Sequence, residues 1–464
     1  MDTNEFRRRG HEIIDWLAEY YEGLESQRVV PDIAPGTVRA SLPGQAPDAG
    51  ESFDAILKDF REQIMPAMTH WGHPGWFAYF PSNSSPPAVL GDLLASGLGA
   101  QGMSWETSPA ATELEQVVMD WYRQLLALPA DFTGVIQDTA SSSTLVAFLT
   151  ARERVGTDRD RFVAYWSSHA HSSVAKAARL AGIPEERCRV IAVDADWTMR
   201  PDALRDALAA DAAAGLVPGI VVATMGTTSS TACDPLRAIG EAARRYGAWY
   251  HVDAAFGGSA AIVPEVRPLL DGVELADSMV TNPHKWLLTT FDCSAYFVRD
   301  VDALLRTFSV TPEYLRTRHD ANSAAVNFRD WGIPLGRRFR ALKFWFVLRS
   351  YGVDAIRAMI RQHIAWGTEL AGWVDATPEF ERLAPAPLAL VCLRHVPAAL
   401  RGDEAALTRH NAELLARVNR HGAVHLTHTT LDGKYVIRVA IGGFRTGHQH
   451  IEQVWQLIRA ASAV

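Results

Sequence analysis

The sequence predicts an α/β fold: a mainly parallel sheet of seven strands with helices between them, preceded by a helical arm and followed by a smaller α+β unit. Three observations predict it. Between residues 81 and 345, short apolar runs rich in Val and Ile alternate with segments of helical periodicity, the pattern of a sheet covered on both faces. After residue 346 the helices lengthen and two strand-like runs remain. Before residue 81 an amphipathic helix leads into a stretch rich in Pro and Gly.

The arm, residues 1–80, comes first. Ile13, Trp16, Leu17, Tyr20 and Leu24 recur at helical spacing and predict a helix over 4–24. Its apolar face has two readings, packing on the chain's own core or on a partner subunit. Residues 30–50 read as an extended connector and 53–68 as a second helix. In the large unit, 81–345, strands are expected at 134–137, 162–166, 189–193, 220–224, 249–252, 278–281 and 295–298. Helices are expected between them at 144–154, 173–181, 201–214 and 235–246. The last unit, 346–464, carries helices at 353–373, 404–419 and 448–461, with strands at 388–393 and 435–440. In open sheets of this kind ligands bind at the carboxyl ends of the strands, so the chemistry is sought there.

Composition narrows the function classes. The 464 residues are 48% apolar and 21% charged, which excludes a disordered or fibrous chain. With 45 Lys+Arg against 53 Asp+Glu the net charge is −8, and a nucleic-acid protein would carry a basic surface instead. Cys188, Cys233, Cys293 and Cys392 are far apart with no C-x-x-C pair. That argues against a disulfide framework or a zinc site and fits a reducing compartment. The polar, Arg-rich start is not followed by an apolar stretch of signal-peptide type, and no run approaches the roughly 20 apolar residues that span a bilayer. A cytoplasmic protein is expected.

The segment Thr281-Asn-Pro-His-Lys285-Trp is the most informative. Its lysine follows an apolar strand and precedes Trp286, Leu287 and Leu288. Desolvation there disfavours the ammonium form and makes the amine nucleophilic, as a Schiff-base lysine requires. Taken alone, such a lysine is more often a strand-ending surface group. Upstream, Trp249-Tyr-His-Val-Asp253-Ala-Ala255 runs an apolar strand into an acid flanked by small residues. A carboxylate facing a pyridine nitrogen keeps it protonated, and the charged ring then accepts electrons from a carbanion. An isolated strand-end Asp is more often a loop cap. The two together are far more specific than either.

Gly134-Val-Ile-Gln-Asp-Thr139-Ala140-Ser141 leads a strand into a hydroxyl-rich turn and a helical pattern, a candidate phosphate site that simple N-capping would also explain. No P-loop or dinucleotide fingerprint occurs. His169 and His171 lie past a strand without a third metal ligand nearby, so a ring-stacking, proton-moving imidazole is favoured over a metal site.

Further segments follow in order: His70-Trp71, Phe77-Ala-Tyr79-Phe80-Pro81, Ser108-Pro-Ala-Ala-Thr-Glu-Leu-Glu115, His171-Ser-Ser, Gly226-Thr-Thr228, Asn282-Pro-His284-Lys285 and Ile333-Pro-Leu335-Gly336-Arg-Arg-Phe-Arg340. With these the chain resembles, over nearly its whole length, the group II decarboxylases that use pyridoxal 5'-phosphate (PLP), and among them the aromatic-L-amino-acid decarboxylases of the DOPA, tryptophan and tyrosine group. The resemblance implies the fold-type-I architecture of PLP-dependent transferases and a homodimer with active sites at the interface. On the residues themselves, the arm is expected to pack on the partner, and no metal, no nucleic acid and no membrane are expected.

It also implies roles. Lys285 would bind PLP as a Schiff base and Asp253 would pair with its ring nitrogen. His171 would stack on one face of the ring and Ala255 lie under the other. Thr139, Ala140, Ser141, Asn282 and His284 would hold the phosphate. Thr228 would lie near both cofactor and substrate. Trp71, Tyr79, Phe80 and Pro81 match the aromatic substrate pocket, with Gln101, Met103, Leu335 and Gly336 near the substrate ring. Gly336 leans toward indoles and the polar Gln101 toward phenols, and both stay open. Tyr314, in Thr311-Pro-Glu-Tyr314, matches the catalytic-loop tyrosine that protonates the substrate, a position typically Phe in members that make aldehydes. The activity implied is decarboxylation of an aromatic L-amino acid to its arylalkylamine, with an aromatic aldehyde synthase as the alternative. A third reading, a binding protein without turnover, would require none of Lys285, Asp253, His171 and Tyr314.

Overall fold

The computed structural model describes residues 1–310, 312–315, 319 and 325–463. Seven strands form the main sheet: β1 (Thr133–Gln137), β2 (Phe162–Ser167), β3 (Cys188–Ile191), β4 (Val217–Thr224), β5 (Trp249–Asp253), β6 (Ser278–Thr281) and β7 (Ser294–Val298). Their order is β1-β7-β6-β5-β4-β2-β3. β7 runs antiparallel to both its neighbours, β1 and β6, and the other pairs are parallel. The strands are buried almost throughout, which is why they read as continuous apolar runs. Val221, Val252 and Met279 pack toward one layer of helices, and Ile220, Val222, Trp249 and Val280 toward the other.

A second sheet follows: β8 (Phe380–Arg382), β9 (Leu390–His395), β10 (Thr427–Leu431) and β11 (Lys434–Ala440), in the order β10-β11-β9-β8 and antiparallel throughout. Helices Val353–Asp375, Glu404–His421 and His448–Ser462 pack on it. Strands β8 and β10 were absent from the sequence expectation. β10 alternates exposed and half-buried residues, Thr427 to Thr430, so no continuous apolar run marks it.

The arm begins as the helix Thr3–Gly23, capped by Asp2, which buries only Arg9 of its residues. Trp16 packs on Tyr20 and edge-on to Phe60. Further on, Phe77 N donates to His425 O and Ala440 N to Phe77 O. The end of the arm is thus hydrogen-bonded to the second sheet. The helix expected at 53–68 is regular only over Phe53–Asp59, then widens and tightens by turns, as Pro66 cannot continue it. Among the described residues no helix is long and apolar enough to cross a membrane.

Candidate active site

The loops leaving β1, β2, β4, β5 and β6 surround a cavity of about 230 Å³. Thr139, Ala140, Ser141, His171, Thr228, Asp253, Ala255, Asn282, His284 and Lys285 all line it. Ten residues spread over nearly 150 positions converge because parallel strands deliver their carboxyl ends to one edge.

Each loop has a local cause. Thr139 caps the helix Ala140–Arg154, its hydroxyl accepting from Ser142 N. The hydroxyl run therefore lies inside the first turns, and the helix starts four residues before the expected 144. Its free N–H groups and positive dipole end face the cavity, an anion site. His171 caps the next helix, Ser172–Leu180. Asp253 ends β5, 4% exposed, and its Oδ1 accepts from Ala255 N at 3.1 Å. Lys285 sits in the single turn Pro283–Trp286 that follows β6. Asn83 Nδ2 donates to Lys285 O at 2.6 Å and fixes that turn.

The electrostatics follow from burial. Lys285 keeps some accessible surface where it lines the cavity, but protein surrounds it and lowers its pKa, with the Asp253 carboxylate opposing the shift. The His171 imidazole is also pushed down, first by burial, with Asp253 opposing. Ser173 N donates to His171 Nδ1 at 3.2 Å. Since a backbone N–H can only donate, Nδ1 is the acceptor and the neutral ring carries its proton on Nε2. The same logic fixes His284: Cys293 N donates to its Nδ1 at 2.9 Å, and burial pushes the ring down to about 3. The neutral ring so arranged is a donor through Nε2.

A second, wider cavity of about 550 Å³ adjoins the first and shares Phe80, His171, Thr228, His284 and Lys285 with it. Trp71, Tyr79, Pro81, Ser82 and Phe291 complete its largely apolar wall. Phe80 stacks on Phe256 at 3.8 Å and Phe256 on Trp286 at 4.4 Å, a column of rings beneath the Lys285 turn. Lys285 Nζ lies 5.4 Å from the Phe80 ring centre.

Four expected substrate residues do not line either cavity. Gln101 Oε1 accepts from Arg337 N at 2.6 Å, beside Gly336, while Met103 O accepts from Arg329 N and Leu335 is 45% exposed. They form a separate surface group. Tyr314 lies in the turn Glu313–Leu315, but its side chain is outside the described residues. Ser82, Ser173, Thr224, Gly226, Phe256 and Phe291 line the cavities without having been singled out, though all but Phe291 lie within or beside motifs the sequence marked.

These residues fit a phosphorylated pyridine aldehyde. A helix N-terminus, two hydroxyls and the His284 Nε2–H offer anion donors beside a carboxylate and a desolvated amine. The buried Asn282 amide leaves its Oδ1 without a hydrogen-bond partner, and turning that amide over would aim Nδ2–H at a bound phosphate instead. An α/β sheet with this lysine, acid and anion site at its strand ends defines a PLP-dependent enzyme. The comparisons make the assignment specific. Residues 35–396 match the pyridoxal-dependent decarboxylase conserved domain. The chain is 44% identical to phenylacetaldehyde synthase of Arabidopsis thaliana, covering 99% of this chain and 96% of that one. It is 43% identical to aromatic-L-amino-acid decarboxylase of Sus scrofa, covering 100% and 97%. The crystal structure of Oryza sativa TDC with PLP and tryptamine superposes with a TM-score of 0.97 at 38% identity, covering 100% and 98%. The chain belongs to the group II PLP-dependent decarboxylases, and its cofactor is PLP.

Proposed function

We propose that this protein decarboxylates an aromatic L-amino acid to the corresponding arylalkylamine and CO2. The observation that carries the reading is the apolar cleft of Trp71, Tyr79, Phe80 and Pro81 opening directly onto Lys285 and His171. A flat hydrophobic side chain buried there leaves its amine and carboxylate beside the buried lysine. Bound PLP supplies a carbonyl for amines and a protonated ring that accepts the electron pair released with CO2.

The chain's own residues do the rest. Thr139, Ala140, Ser141, Asn282 and the His284 Nε2–H hold the phosphate. Asp253 keeps the proton on the ring nitrogen, since a nearby negative charge favours the protonated form. Ala255 leaves room for the flat ring, and His171 covers its other face. Lys285, its amine pKa lowered by burial, would carry the cofactor through its Nζ and would be the group a substrate amine displaces. Thr228 lines both cavities and orients the polar groups of cofactor and substrate. Tyr314 delivers the proton to Cα as general acid.

The protein acts as a homodimer. Residues 1–80 form an arm that packs on the second copy, 81–345 the cofactor unit and 346–464 the small unit. Gln101, Met103, Leu335 and Gly336 reach a substrate only if that second copy brings them to its cleft. Four unpaired cysteines suit a reducing cytoplasm.

An aldehyde synthase is the second reading, because a phenylacetaldehyde synthase stands among its relatives. Tyr314 weighs against it. Product analysis over tryptophan, 5-hydroxytryptophan, tyrosine, DOPA, phenylalanine and histidine tests the reading. Amine and CO2 in equal amounts without peroxide are expected. Aldehyde, ammonia and peroxide as main products overturn it. In Tyr314→Phe, amine formation is expected to fall by roughly 10²-fold, the lower range for a lost general acid, with aldehyde appearing. Unchanged amine output removes Tyr314 from its role.

A further inference from the structure

Arg438 is 3% exposed, and no carboxylate pairs with it among the described residues. A buried cation without a counter-charge is costly unless every donor is satisfied. Its donors go to two walls of the substrate cleft. Nη2 donates to Thr228 O at 2.6 Å and lies 3.4 Å from Tyr79 O. Nε donates to Ser229 O at 3.1 Å, and Nη1 to Thr427 Oγ1 at 2.9 Å. The guanidinium stands 5.6 Å from the Phe80 ring centre, the same ring that Lys285 Nζ approaches.

The two walls need such a tie. Tyr79 and Phe80 come from the end of the arm, and Thr228 from the turn after β4. Among the described residues no backbone hydrogen bond joins them. Both carry backbone outside the ordinary regions, with φ of 52° at Tyr79 and 58° at Thr231, so neither holds its shape by local preference. The second sheet grips the same turn elsewhere: Cys392 Sγ reaches Ser229 O at 3.3 Å and Thr429 Oγ1 reaches Ser229 Oγ at 3.1 Å. Among the described residues, Arg438 is the side chain that hydrogen-bonds to both walls.

We propose that Arg438 is a positioning residue whose planar fork sets the spacing between the Tyr79–Phe80 wall and the Thr228 turn, and with it the affinity for the aromatic side chain. This rests on the reading of that cleft as the substrate pocket. The guanidinium is suited to the task because its donors leave in one plane at fixed angles, while an ammonium has a single centre and no fixed fork.

The test uses the full-length holoenzyme. In Arg438→Ala and Arg438→Lys, KM for the preferred aromatic amino acid is expected to rise at least about ten-fold, with kcat changing less. The visible absorbance of bound PLP and its trapping by borohydride are expected to persist, because Arg438 does not line the cofactor cavity. Millimolar guanidinium is expected to restore KM in Arg438→Ala, whereas ethylammonium does not. Thr427→Val removes one acceptor and is expected to raise KM by a smaller factor, which keeps the question open to measurement should Arg438→Ala fail to fold. A KM within two-fold of wild type in Arg438→Lys, or a loss confined to kcat, overturns the proposal. So does loss of PLP together with KM, which would mark a general structural role. Wild-type enzyme inactive on every aromatic amino acid would instead bring down the pocket reading itself.

Discussion

At Lys285 the chain spends burial to obtain a nucleophile. A lysine at the end of a strand would ordinarily reach water, yet Trp286, Leu287 and Leu288 that follow it are all buried and draw its turn inward. The amine is thus largely surrounded by protein, and Asp253 opposes the fall in its pKa. This residue pair was legible in the sequence because both members stand at the ends of apolar runs beside small or buried neighbours. Arg438 was not legible. It sits in an apolar strand, where apart from Thr427 Oγ1 its partners are carbonyl groups far away in sequence, and carbonyls carry no residue-type signature. The tautomers of His171 and His284 were equally hidden, since backbone N–H groups from Ser173 and Cys293 set them. Lys285→Ala is expected to lose turnover altogether and to lose the borohydride-trapped cofactor, while Asp253, His171 and the phosphate residues remain to bind PLP reversibly. Mass measurement after reduction reads this directly: a PLP adduct at another lysine would mean Lys285 does not carry the cofactor.

Among the elements, the strands buried on both faces were the easiest to read, and their bounds differ from expectation where a local residue type misleads. β4 starts at Val217, three residues before the apolar run at 220, because Pro218 and Gly219 look like a turn. Gly219 is there for packing: a methyl group on it would lie 2.2 Å from the Phe162 ring. The short strands β8 and β10 escaped notice for want of an apolar run. The turns after β4 and β5 fit closely against each other. Gly226, at φ +84°, sits against Gly257, and a methyl at Gly257 would lie 2.5 Å from Met225 O and 3.1 Å from its carbon. Met225 is backbone that leads straight into the Thr228 turn, so it cannot yield without moving the cavity wall. Gly257→Ala is therefore expected to destabilise the fold by about 1–3 kcal/mol, the usual range for overpacking, and to weaken PLP binding as well. Denaturant unfolding with and without PLP measures both effects. A variant with wild-type stability and PLP affinity would show that the two turns are not tightly coupled.

The whole molecule leaves one question that a single chain answers poorly: what covers its apolar exterior. Leu90, Leu93, Leu94 and Leu98 are 44–71% exposed and recur at the spacing of one helical face on Pro86–Gly97 and its C-cap. The opposite face is pressed onto Lys343, whose Cα would be 2.7 Å from a methyl at Gly91. Trp71, Tyr79 and Phe291 at the cleft, and Ile333 and Leu335 beside Gly336, are also 41–61% exposed. Large exposed apolar patches on a surface mark interaction sites. A second copy would bury the leucine face, where each leucine contributes about 1.5–3 kcal/mol, and would close the cleft against water. Apart from the family resemblance, the sequence hinted at this through an arm helix with two possible packing partners, because an apolar stripe looks the same whether its partner is the same chain or another. Wild-type protein is expected to sediment at twice the 51.0 kDa chain mass. Leu93→Glu combined with Leu94→Glu places two carboxylates in that interface, where burying unpaired charge costs several kcal/mol per ion. The double variant should sediment at the single-chain mass, keep its secondary structure by circular dichroism, and lose decarboxylation because its clefts stay open. Wild-type protein running at 51.0 kDa with full activity would show that a single chain suffices, and a double variant that remains a fully active dimer would show that this face does not join the copies.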